Sequence, residues 1–176
     1  DLGMRGSLYT LDMPRLYKNQ KYLQSISLEY VKKIIVESEI EVQNLACMIG
    51  LMEGKLPESD LKIICNNYSV KEGLIRTKLF QFQNGNIQIR HMFYLGPLQQ
   101  MAFLSSYRQH EIYTMLFDKI ELLSVDKFCK TIKKIQLAIF LENRQYLGEK
   151  WKEVISNLLF QEDYVLAQSL LKDVYN

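Results

Sequence analysis

The sequence predicts a mainly α-helical protein, a multi-helix bundle that carries one small β-hairpin. Three observations lead there. Of 176 residues only eight are glycine and three proline, too few for the many turns of a sandwich or barrel. Apolar side chains recur at three- and four-residue steps through most of the chain, which is the helical period. The one clear alternation of apolar and polar residues flanks an Asn-Gly pair. A hydrophobic content of 48% and a formal net charge of +2 suit a folded domain and exclude a disordered chain.

Taken in order, residues 1–13 read as an extended arm or as vector-derived residues. Leu8–Leu11 could form a short strand, and Met4-Arg5-Gly6-Ser7 has a cloning-tag character. Residues 14–176 read as a single helical domain. Pro14 permits a short helix to about Leu23. Ser27 can cap the next helix, where Leu28, Val31, Ile35, Val42, Leu45, Ile49 and Met52 form a seam broken only at Ser38. That seam reads as the long central helix of a bundle or, alternatively, as a homodimeric coiled coil, ended by Gly54 and Pro57.

Ser59 then caps a short helix, Asn66-Asn67 turns the chain, and Ser69 with Glu72 fits a capping box for a second short helix running to about Leu79. Phe80–Gln83 and Ile87–Arg90 both alternate around Asn84-Gly85-Asn86, and Asn-Gly accepts the positive φ angles of a type I′ hairpin turn. Residues 97–176 read as a C-terminal helical bundle. Leu98 to Leu123 form one helix or two in series. Asp126 starts another, Gly148 precedes a helix bearing Trp151, Val154, Ile155 and Leu158, and a last helix follows Gln161.

Two short helices, a turn and a hairpin within residues 57–94 resemble the winged helix-turn-helix class, without pointing to a particular family. The resemblance implies that Lys71, Arg76, Thr77 and Lys78 face outward from a recognition helix, with Arg90 on the wing, where they could meet phosphates or base edges. Charge adds to this. Residues 61–110 hold six basic residues and one acid, a balance of +5, between slightly acidic flanks. Winged helices also serve as protein-docking elements, so both roles stay open for the segment.

Other chemistry is thinly represented. Cys47, Cys65 and Cys129 are odd in number and widely spaced, so they read as buried free thiols in an intracellular, reducing compartment, cytoplasmic or nuclear. His91 and His110 lack neighbouring ligands at metal spacing. Phosphate loops, nucleophile elbows and paired catalytic carboxylates are not apparent, and neither a cofactor, a metal, a small-molecule site nor membrane insertion is expected. Lys130, Lys133 and Lys134 read as a solvated helix face. Nineteen Tyr and Phe residues suit protein recognition, and Phe93, Tyr94, Met101 and Phe103 are the candidate interface residues within the most apolar uncharged stretch. The expected function is a non-enzymatic protein–protein interaction module, an adaptor, scaffold or regulatory subunit that binds another protein or itself. The alternative is a nucleic-acid-binding winged-helix transcriptional regulator that uses the basic segment 61–90.

Overall fold

The computed structural model describes residues 13–65, 67–160 and 163–175. The Leu8–Leu11 segment and Asn66 lie outside them. Helix α1 spans Met13–Val36 and α2 spans Ile40–Leu51, so the expected long seam is two helices meeting at a corner. Ser27 does not cap anything; it is buried inside α1, where its hydroxyl donates to the carbonyl of Gln24 at 2.9 Å. The break falls at Ser38, the one polar seam position. Its hydroxyl donates to the Ile34 carbonyl at 2.7 Å, and the Gln43 amide closes the corner by donating to the Ser38 carbonyl at 2.9 Å. A serine there buries no apolar surface and competes for backbone acceptors, so the chain bends. A continuous coiled-coil seam is thereby ruled out.

Helix α2 is the central element, buried at Val42 and from Leu45 to Leu51. After it come β1 (Lys55–Pro57), α3 (Glu58–Ile64), α4 (Tyr68–Arg76), β2 (Phe80–Gln83) and β3 (Asn86–Ile89). The hairpin forms as expected, with Asn84 at φ 51° and Gly85 at φ 71°, the two positive angles its turn requires. The sheet has a third strand that the sequence did not betray. Strand β1 is only three residues long and ends in proline, yet it pairs antiparallel with β3, giving the order β1-β3-β2 with Leu56 opposite Ile87 and Phe82 opposite Ile87 on the other side. Leu56, Phe80, Ile87 and Ile89 face the core.

Over residues 40–89 the elements run helix, strand, helix, helix, strand, strand, with β1 added to the edge of the hairpin. Helix α4 begins at Tyr68 because Asn67 caps it: the Asn67 side chain accepts from the Ser69 amide at 3.0 Å and from the Ser69 hydroxyl at 2.8 Å. The expected Ser69–Glu72 box is therefore not used.

A 3-10 turn at Met92–Tyr94 leads into α5 (Leu95–Gln100) and α6 (Ser106–Lys119). They are two helices in series because Met101 takes a left-handed φ of 48° between them. After a 3-10 turn at Ile120–Leu122 come α7 (Lys127–Phe140), α8 (Arg144–Phe160) and α9 (Tyr164–Tyr175). Asp126 caps α7 as expected, accepting from the amides of Phe128 and Cys129 at 2.9 and 3.1 Å. Gly148, expected to precede a helix, lies inside α8.

Buried side chains fall into two clusters. The larger unites α1 through α6 with the sheet, and Leu137 of α7 joins it. The smaller, formed by Ile135, Val154, Ile155, Leu158 and Ala167, holds α7, α8 and α9 together. Asp60 lies buried in the first turn of α3. Its carboxylate accepts from the amide of Ser124 at 2.8 Å and from the Ser124 hydroxyl, fastening the segment before α7 to α3. A buried carboxylate needs such partners, since an unbonded one is strongly unfavourable.

Candidate functional site

The outer face of α4 and the hairpin beside it form the first candidate surface. Lys71 lies on α4, but its Nζ is 2.5 Å from Glu58 Oε1 and 4.1 Å from the centre of the Phe82 ring, leaving the side chain 26% exposed. It is a tie between α3, α4 and the wing. Arg76 is 80% exposed, yet it pairs with Glu72 at 3.3 Å, one helical turn back. Together with Glu37 and Glu39 it lines an open cleft of about 400 Å³ between the α1–α2 corner and the end of α4. The Glu37 and Glu39 carboxylates lining the cleft, with Glu72 already paired to Arg76, make this a poor seat for a phosphate.

Thr77 completes the helix end. Its hydroxyl donates to the Leu74 carbonyl at 2.6 Å and accepts from the Leu79 amide at 3.2 Å. Lys78 adopts a left-handed φ of 59°, which makes the short link from α4 to β2, and its side chain is exposed. Arg90 is exposed as well, although its Nε donates to the Phe80 carbonyl at 3.1 Å. The wing itself is neutral: Gln81 and Gln88 both donate to the Gln83 side chain, at 3.2 and 2.6 Å, and the tip is Asn84-Gly85.

Gly73 in the middle of α4 has a packing reason. A Cβ there would lie 2.7 Å from Cγ2 of Val42, so glycine lets α4 rest against α2. The basic island is dispersed in space. Arg108 of α6 pairs with Glu111 and donates to Asn44 Oδ1 at 2.7 Å, well away from the wing in the contacts it makes.

The second candidate surface is apolar. Met92 and Phe93 project from the 3-10 turn, 70% and 62% exposed, where that turn packs on α1. Tyr94 is half-buried. Its ring lies 5.8 Å from Tyr30 of α1 and 5.7 Å from His91, which meets it edge-on. Ile26, one turn before Tyr30, is exposed too, so the face continues onto α1. The other two expected interface residues belong elsewhere. Met101 is completely buried, and the half-buried Phe103 packs against the main core. The apolar character of residues 92–104 thus has two causes, surface at its start and core at its end.

Several residues differ from their sequence-based roles. Lys133 and Lys134 are not a solvated face: they pair with Glu53 at 2.7 Å and Glu121 at 3.1 Å, while Lys130 donates to the Glu121 carbonyl at 3.1 Å. All three thiols are free, but only Cys47 is buried; Cys65 is half-buried and Cys129 exposed. Burial pushes the Cys47 thiol up to about 12, against the smaller opposing pull of Arg108. Burial also raises the Tyr113 hydroxyl, with Cys47 adding to the effect. Among the described residues no group of three His, Cys, Asp or Glu side chains could hold a metal ion, and no helix is long and apolar enough to cross a membrane.

Sequence reasoning missed Glu58 as the counter-ion of Lys71, Asp60 as the fastener, and Ile26 and Tyr30 as surface. None of the three had a local signal, because each partner lies far along the chain. Compared with known proteins, the chain matches no protein-family model, and no curated protein or solved structure matches it.

Proposed function

We propose that the chain is a non-enzymatic protein-interaction module that docks a partner on the apolar face of α1 and the 3-10 turn. One observation carries this reading: Met92 and Phe93 are consecutive and mostly exposed on a turn that packs on α1, where Tyr94 of the same turn meets the exposed Tyr30 and Ile26 lies one helical turn away. Scattered single apolar residues need no explanation on a surface, but a contiguous group of large ones marks an interface. The winged-helix elements then act as the scaffold that holds the turn. The neutral wing, the Lys71–Glu58 pair and the acidic surroundings of Arg76 favour this over phosphate recognition.

The test compares wild type with Phe93→Glu in quantitative capture of partner protein from the source cell. The wild type is expected to retain a defined protein at stoichiometric amounts and the variant to lose it by at least about tenfold. Equal capture by both would reject this face. The element order of residues 40–89, with exposed Lys78 and Arg90, favours nucleic-acid binding as the second reading. It expects low-salt DNA binding that the Arg76→Ala/Lys78→Ala double variant weakens, with a shallow salt slope of about 0.9 per phosphate contact.

A further inference from the structure

We propose that a small cavity between α2, α3 and α6 binds a soft monovalent metal ion, Cu(I) in type, through the Cys65 thiolate and the thioethers of Met48 and Met115. The site lies apart from the docking face on α1 and the 3-10 turn, so its failure would leave that reading untouched. The cavity measures about 60 Å³. Its wall includes Met48 and Asn44 of α2, Cys65 at the end of α3 and Met115 of α6, with the exposed Glu41 beside them. Met48 is fully buried, whereas Met115 and Cys65 are half-buried, so the sulfur-bearing side chains reach from the core toward solvent.

Sulfur is the reason to read this cavity as a site. Thioethers commonly fill irregular gaps in a core, being flexible and polarizable. Here two of them and a thiol surround a space that they do not fill, large enough for an ion and a water. One sulfur is already held at the wall. The Asn44 amide donates to Met115 Sδ at 3.9 Å, and Asn44 Oδ1 accepts from Arg108 at 2.7 Å. A supporting bond of this kind orients a metal donor. The Cys65 thiol makes only a long contact, to the Asn67 carbonyl at 3.8 Å, which metal binding would replace.

Chemistry selects the ion. Thiolate and thioether sulfur are soft donors that favour Cu(I) over hard divalent cations. Among the described residues no group of three His, Cys, Asp or Glu side chains could hold a metal, so the methionines are what distinguish this set. On binding, the Cys65 proton passes to solvent as the sulfur–metal bond forms, and the oxidation state of the metal does not change. One thiolate against one monovalent ion leaves the site neutral. A divalent ion would leave a charge to be buried, which is unfavourable. Two cations touch the lining: Arg108, which is paired with Glu111, and Lys119, which donates to the Ile64 carbonyl. Glu41 supplies a carboxylate on the same wall.

The experiment titrates the chain carrying Cys129→Ser, which removes the exposed thiol as a competitor, with Cu(I) delivered oxygen-free from a chromophoric chelator. One ion per chain is expected, with one proton released and a rise in the unfolding midpoint, because only the folded chain assembles the three donors. X-ray absorption should show a sulfur-only shell, and an equal concentration of Zn(II) should not displace the ion. Met115→Leu nearly keeps the volume and should weaken binding by at least about tenfold. Cys65→Ser should abolish it, and circular dichroism checks that both variants fold. No transfer from the chelator would overturn the proposal. So would binding that both substitutions leave intact, or a shell of nitrogen and oxygen. Binding lost in Cys65→Ser but unchanged in Met115→Leu would reduce the site to a single thiol and equally reject the three-donor reading.

Discussion

The body formed by α1 to α6 and the sheet, and the body formed by α7 to α9, are built differently. The larger cluster holds 26 described apolar residues, Leu137 of α7 among them, whereas the cluster within α7 to α9 holds five and is packed round by half-buried aromatics such as Phe128, Tyr146 and Trp151. The first also has a central helix, α2, sheathed almost completely. The second has none. Fewer fully buried side chains mean less transfer free energy per ordered residue, so the small body depends on what it leans against. The supports are visible: the Tyr113–Phe140 stack at 3.7 Å, the Lys133–Glu53 pair and the Asp60–Ser124 bonds. Amides of α8 and α9 are therefore expected to exchange with solvent faster than those of α2, through openings that leave the first body folded.

The largest expected effect would break the first body. Phe80 is fully buried at the start of β2, and Phe80→Ala should lower stability by about 3–5 kcal/mol in chemical denaturation. A loss confined to α7–α9 would overturn the division into two bodies. Next comes Gly73→Ala, which forces a methyl group against Val42 and should cost about 1–3 kcal/mol. The companion change Val42→Ala opens that space, so the double variant should lose less than the sum of its parts. Strict additivity, measured by the double-mutant cycle, would reject the contact.

Ser124→Ala acts at the junction of the two bodies. It leaves Asp60 with one strong donor fewer and should cost about 1–2 kcal/mol. Hydrogen exchange in α7–α9 should quicken more than in α2, and uniform quickening would count against Asp60 as a fastener between bodies.

The smallest effect is nil at neutral pH and appears only in alkali. Cys47 stays protonated in the fold up to about 12, above its ordinary value. The unfolded chain therefore releases the proton first, and stability falls as pH rises from the ordinary thiol range toward about 12. Tyr113, also raised, adds to the same decline. Cys47→Ala should flatten the alkaline limb of a stability–pH curve. A thiol reagent at neutral pH should label exposed Cys129 long before Cys47, and equal rates would contradict the burial contrast.

What was legible in the sequence follows the range of the interactions. The hairpin, the Asp126 cap and most helices are written in residues within a turn or two of each other, and these were read correctly. The α1–α2 corner was half-legible: Ser38 marked the place, but whether a polar seam residue bends a helix depends on acceptors such as the Ser38 carbonyl meeting Gln43. Strand β1 was not legible. Three residues ending in proline carry no alternation, and only the pairing with β3 makes them a strand. At the candidate surfaces, the apolar run was legible as apolar, but its division into exposed Phe93 and buried Met101 was not. Exposure is decided by α1 and α2, which pack on the 3-10 turn and α5 from tens of positions away.

The tie between Lys119 and α3 has a consequence for how the chain is made. Lys119 sits at the end of α6, and its amine donates to the carbonyl of Ile64 at 2.8 Å, finishing the last turn of α3. A cation at a helix C-terminus satisfies an orphan acceptor and the negative end of the dipole. On a ribosome, Ile64 emerges 55 residues ahead of its partner. The Ile64 carbonyl thus gains its protein partner only after α6 has been synthesised and has docked. Until then water serves that acceptor, and synthesis order makes α6 the element that ties off the end of α3.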